Sequence, residues 1–186
     1  MKACIVSVFI CLLIAGGFTA MLGGKHDDKK DDNKTGFSAA LSGLQEAPPI
    51  STAGTGEFSA QIDESTKSIT FTLSYSDLRA PATAAHIHFA PGGINGGVMV
   101  FLCGTPATPC PTTVGTVTGT ITASAVQAIP GQGIAPGDFD PLLDAIRTGN
   151  AYADVHSVLF PAGEIRGQIV VNDKDGKKKK DRDDED

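Results

Sequence analysis

Residues 68–75 read Ser-Ile-Thr-Phe-Thr-Leu-Ser-Tyr, a strict alternation of apolar and hydroxyl side chains. Successive side chains of a strand point to opposite faces, so Ile69, Phe71, Leu73 and Tyr75 share one face and Ser68, Thr70, Thr72 and Ser74 the other. On a helix the same residues would be scattered round the axis. A chain built on this period needs an antiparallel sheet with one buried face. Weaker versions of the pattern recur at residues 37–41, 57–62, 84–89, 98–102, 114–122, 151–158 and 164–171, with turn residues between them. The 22 Gly and 11 Pro of the 186 residues suit many short strands and tight turns. One helix interrupts the series: Asp140 reads as its N-cap, Pro141 as its first residue and Gly149 as the stop, with Leu142, Leu143 and Ile146 as its apolar stripe. The expected fold is all-β, an antiparallel immunoglobulin-like sandwich of about eight strands with one short helix.

The ends of the chain read differently. Lys2, the apolar run 5–14 and the small residues Ala15, Gly16, Gly17 and Ala20 have the layout of a secretory signal peptide over residues 1–20. The run is too short for a comfortable membrane span, so no transmembrane span is expected in the mature protein. Residues 21–35 and 173–186 are charged, of low complexity and without apolar period, and are expected to be a disordered linker and tail. The domain is expected over residues 36–172. Without the signal peptide only Cys103 and Cys110 remain, and two cysteines so close in an exported chain are expected to pair. Between Thr35 and Val171 ten acidic side chains face four basic ones, a net charge of −6. That balance argues against nucleic acid as a partner. The expected location is secreted, periplasmic or cell-surface.

Strand parity also gathers polar residues. In 84–89, Ala85, Ile87 and Phe89 face the core, which leaves His86 and His88 together on the other face. In 151–158 the non-core set is Tyr152, Asp154 and His156; in 164–171 it is Glu164, Arg166 and Gln168, with Gly163, Ile165, Gly167, Ile169 and Val171 toward the core. If these strands are neighbours, three imidazoles meet. A three-nitrogen set suits zinc or copper, and Asp154, Tyr152 or Glu164 stands ready as a fourth ligand or an outer partner. The alternative is a hydrogen-bonded network, with Glu164 on Arg166 and the histidines on Asp154 and backbone carbonyls. No nucleophile elbow or phosphate-cradling glycine loop is present.

The motifs Leu41-Ser-Gly-Leu-Gln-Glu-Ala-Pro-Pro-Ile, Ala84-Ala-His-Ile-His, Ala151-Tyr-Ala-Asp-Val-His and Phe160-Pro-Ala-Gly-Glu-Ile-Arg-Gly-Gln-Ile, in this order, resemble the CHRD domain, named after chordin and widespread in exported proteins. His86, His88, His156, Glu164 and Arg166 fall on its signature positions, as do Gln45, Glu46, Pro48 and Pro49. The resemblance implies one extracellular domain and no settled catalytic activity. Chordin's binding of growth factors is not carried over. The Glu46-Ala-Pro-Pro stretch reads as a turn. Three functions stay open: an exported binding or structural module with a three-histidine metal site, a copper- or zinc-dependent extracellular enzyme of redox type, and a cell-surface or matrix adhesion protein. The first leaves an unknown extracellular ligand or surface component as partner.

Overall fold

The computed structural model describes residues 34–172. The expected signal peptide, most of the charged linker and the tail 173–186 lie outside the described residues. The first strand nevertheless begins inside the expected linker, at Lys34. The strands are β1 (Lys34–Ser42), β2 (Thr55–Asp63), β3 (Ser68–Ser76), β4 (Ala82–Phe89), β5 (Gly97–Cys103), β6 (Gly115–Ile121), β7 (Ala151–Ser157), β8 (Ile165–Gln168) and β9 (Val170–Val171), and helix α1 is Phe139–Arg147.

The expected alternation is visible strand by strand. In β3, Ile69, Phe71, Leu73 and Tyr75 are buried while Thr70 and Thr72 are exposed. The buried set meets Phe37, Phe58, Ile62, Ile87, Met99, Ile121 and Ile165 in one core. Each such side chain taken from water stabilises by about 1.5–3 kcal/mol. Leu142, Leu143 and Ile146 of α1 join the same core.

The sheet differs from the expected two-sheet sandwich. All nine strands belong to one antiparallel sheet in the order β5-β4-β7-β8-β1-β2-β3-β6, with β9 pairing β1. The end strands β5 and β6 come into contact without pairing, and Gln127, just beyond β6, donates its backbone N–H to Met99 O of β5 at 2.8 Å. The sheet therefore curls until it is nearly closed like a barrel, and its inner face forms the core. Alternation fixes which side chains go inward; it carries no information on whether a sheet splits in two or closes on itself.

Two local expectations are corrected. The N-cap of α1 is Asp138, two residues before Asp140, because Phe139 is buried and the helix must start early enough to place it. Asp140 instead forms a surface ion pair with Lys67 at 3.2 Å. Val171 is exposed rather than in the core: the last strand breaks after Gln168, Ile169 stays buried, and both residues of β9 turn outward. Gly149 follows α1 with φ +71, the left-handed conformation expected of a helix stop. Cys103 and Cys110 are disulfide-bonded, with Cα atoms 5.1 Å apart.

Candidate metal centre

The fold makes neighbours of the strands that carry the histidines. β4 pairs with β7, and β7 with β8. His86 stands opposite Asp154, which stands opposite Arg166. His88 stands opposite Tyr152 and Tyr152 opposite Gln168, while Ala84 faces His156. All these polar residues share the sheet face away from the core. On its β5 side, β4 shifts register between Ala85 and His86 and again between Ile87 and His88. Such irregularities re-aim side chains.

That face is covered. His86 and His88 are each 7 % exposed, Asp154 3 % and Arg166 1 %. The segment 43–50, the loop 91–96 and the β7–β8 hairpin supply partners that strand parity could not foretell. His88 Nδ1 donates to Gly96 O at 2.9 Å, and His156 Nδ1 donates to Pro161 O at 3.1 Å. A carbonyl oxygen only accepts, so both rings carry a proton on Nδ1 and turn Nε2 to the centre.

The inward atoms converge. His88 Nε2 lies 3.0 Å and His156 Nε2 3.1 Å from Asp154 Oδ2. His86 Nδ1 lies 3.0 Å from His156 Nε2 and 3.7 Å from Asp154 Oδ1. One ligand atom from each of the four residues lies within 4.8 Å of all the others. A tetrahedral ion with bonds of about 2.0–2.1 Å would separate its ligands by about 3.3 Å. His86 Nε2, His88 Nε2 and Asp154 Oδ1 are buried and make no hydrogen bond. His88 Nε2 is near the carboxylate but not aligned to donate to it. Two imidazole nitrogens and a carboxylate oxygen, buried and unpartnered, are what a cation would satisfy. These four residues form a group that could hold a metal ion.

Electrostatics follow the same geometry. Burial works to raise the Asp154 carboxyl, but contacts with His156, His86 and His88 outweigh it and hold it well below the usual range. Burial likewise opposes protonation of His156, yet Asp154 wins and raises it.

The other expected site residues have different tasks. The Tyr152 ring lies between His88, stacked at 4.8 Å, and the Arg166 guanidinium, 3.4 Å from the ring centroid. Its hydroxyl accepts from Gly96 N at 3.3 Å, so Tyr152 props both the ring and the loop beside His88. Arg166 donates to Pro91 O at 3.0 Å and Asn95 Oδ1 at 3.4 Å, not to Glu164. Glu164 stays outside the group: its Oε1 accepts from Thr52 Oγ1 and Arg79 N, both at 2.7 Å. It ties down loops.

Sequence reasoning missed Glu46. The residue is 7 % exposed, and its carboxyl packs where a side chain on Gly163 would stand, 2.6 Å from the ideal Cβ position. Burial first, then the charge of Asp154, pushes it up to about 7. A carboxylate beside two prolines looks like a turn; its one distinguishing sign was its place in a family motif.

The described domain coincides with the region where comparison with known proteins succeeds. The CHRD domain family matches residues 37–169, more than two thirds of the chain. No curated protein and no solved structure matches it. With its histidine strand, its Ala-Asp-Val-His strand and the Gly-Glu-Ile-Arg strand paired side by side, the chain belongs to the CHRD domain family.

Proposed function

We propose that this protein is an exported CHRD binding or structural module that holds one divalent transition metal ion between His86, His88, Asp154 and His156. The observation that carries this is the pair of carbonyl anchors, Gly96 O and Pro161 O, which turn two Nε2 atoms onto one buried carboxylate. Outer partners of this kind orient metal-binding imidazoles. Three nitrogens and one carboxylate oxygen are borderline donors, suited to zinc first and copper(II) second. Four protein ligands match the closed pattern of structural sites, in which no position is left for substrate. That sets binding ahead of the redox-enzyme reading. The disulfide and the family's extracellular character support export. The test is metal analysis of the purified full chain, followed by chelation and reloading with zinc or copper. Near-stoichiometric uptake, lost in His88→Ala, is the expected result. A protein that takes up neither ion overturns the reading.

A further inference from the structure

The three imidazoles of the histidine group are not held alike, and the difference deepens the metal reading, on which this inference rests. His88 is fixed twice: its Nδ1 donates to Gly96 O at 2.9 Å, and its ring lies flat on Tyr152, with 4.8 Å between centroids and 3° between planes. His156 has one such hold, the bond from its Nδ1 to Pro161 O at 3.1 Å. His86 has neither. It meets the group through Nδ1, which lies 3.0 Å from His156 Nε2 and 3.7 Å from Asp154 Oδ1. The two nitrogens of an imidazole point out of the ring at a wide angle, so the His86 Nε2 turns away from the centre. That atom is buried and has no hydrogen-bond partner. The ring is met edge-on by Phe101 at 4.7 Å, His156 at 4.8 Å and His88 at 5.3 Å, and nothing stacks flat on it. The strand beneath is irregular too, since the pairing of β4 with β5 shifts register just before His86 and again just after Ile87.

An imidazole that binds a metal is normally oriented by an acceptor on its outer N–H. His88 and His156 have theirs in place. A His86 bound through Nδ1 carries its proton on Nε2, where the fold supplies no acceptor. We propose that His86 is the exchangeable ligand of the group: it binds the ion through Nδ1, while His88 and His156 bind through Nε2, and it is the arm that turns aside to let the ion in and out. Four buried protein ligands otherwise leave an ion no position at which to keep a water while it enters. With His86 turned aside, the cradle of His88 Nε2 and His156 Nε2 on Asp154 Oδ2, at 3.0 and 3.1 Å, is intact, and a water fills the fourth position.

The test uses the full chain loaded with zinc, its bound zinc measured first. Long-range proton–nitrogen NMR spectra read the tautomer of each imidazole in the wild-type protein, with no variant needed. His86 should carry its proton on Nε2, and His88 and His156 theirs on Nδ1. Competition with a chelator then compares His86→Ala, His88→Ala and His156→Ala, each first shown by thermal unfolding to fold without metal. His86→Ala should weaken zinc least, and each of the other two by at least about tenfold more, the worth of an outer partner. Zinc uptake and release should both be faster in His86→Ala than in the wild type, because the displacement of His86 is no longer a step; a ligand that only adds grip changes release alone. A zinc-loaded His86 protonated on Nδ1, a His86→Ala variant as impaired as His88→Ala, or uptake no faster than in the wild type overturns the proposal and leaves the metal site standing. A wild-type chain that takes up no zinc overturns it as well, and copper uptake in a parallel sample distinguishes that result from failure of the metal reading.

Discussion

Asp154→Asn is the sharpest probe of the metal reading, because it keeps the shape of a side chain that touches all three rings and removes its charge. An ion that binds only the folded chain, supplied at about 100 times its Kd, stabilises by about 2.7 kcal/mol. For a domain of this size each kcal/mol moves Tm by about 4 °C, so the metal-free protein should gain about 11 °C on loading. Loss of an outer partner weakens metal binding by about 10–100-fold, and loss of a direct ligand belongs at the upper end. At the same metal concentration the variant then sits near its own Kd. The stabilisation falls to about 0.4 kcal/mol, a shift under about 2 °C. Thermal unfolding with chelator and with zinc, each protein against its own metal-free baseline, measures both numbers. An undiminished shift in Asp154→Asn would refute the assignment of this carboxylate. A wild-type protein indifferent to both zinc and copper would refute the site.

Three further outcomes are expected. Glu46 has a carboxyl near 7 when folded and near 4.5 when unfolded, so the folded state holds its proton more tightly and stability falls as pH rises from about 4.5 to about 7; urea titrations across that window should show Glu46→Gln losing this slope. Gly163→Ala combines φ +124 with a Cβ 2.6 Å from Glu46 Oε1 and should cost about 1–3 kcal/mol in the same assay. Replacing both Cys103 and Cys110 by Ala removes a cross-link between residues seven apart and should lower stability by roughly 2–3 kcal/mol, an effect absent if the two are reduced in the starting protein.

What was legible in the sequence followed from period. Ser68 to Tyr75 declares a strand and its two faces, and the same parity puts His86 and His88 with Asp154 and His156 on the non-core side. Pairing was not legible, because nothing local in 84–89 says that its partner lies near residue 152. Nor was the burial of the polar face. Its cover is made of Gly- and Pro-rich segments, 43–50 and 91–96, whose composition speaks of turns and not of what the turns press against. Glu164 shows the limit of parity: it lies just before β8, and its carboxylate is taken by Thr52 and Arg79 and not by the histidine group. The helix start was misread by two residues: Asp140 followed by Pro141 looked like a cap, but the helix begins at the buried Phe139, with Asp138 before it.

The pairing of β4 with β7 joins residues about 70 apart in sequence, as in the contact between His86 and His156. Between them the chain lays down β5, β6 and α1. A chain emerging from its N-terminal end thus delivers two of the four converging residues early and the other two only after nearly the whole domain has appeared. A truncated or half-folded chain lacks the group altogether. Occupancy of this group would report that the domain has been completed, and an ion held there would act as a clasp fastened last, binding the early half of the fold to the late one.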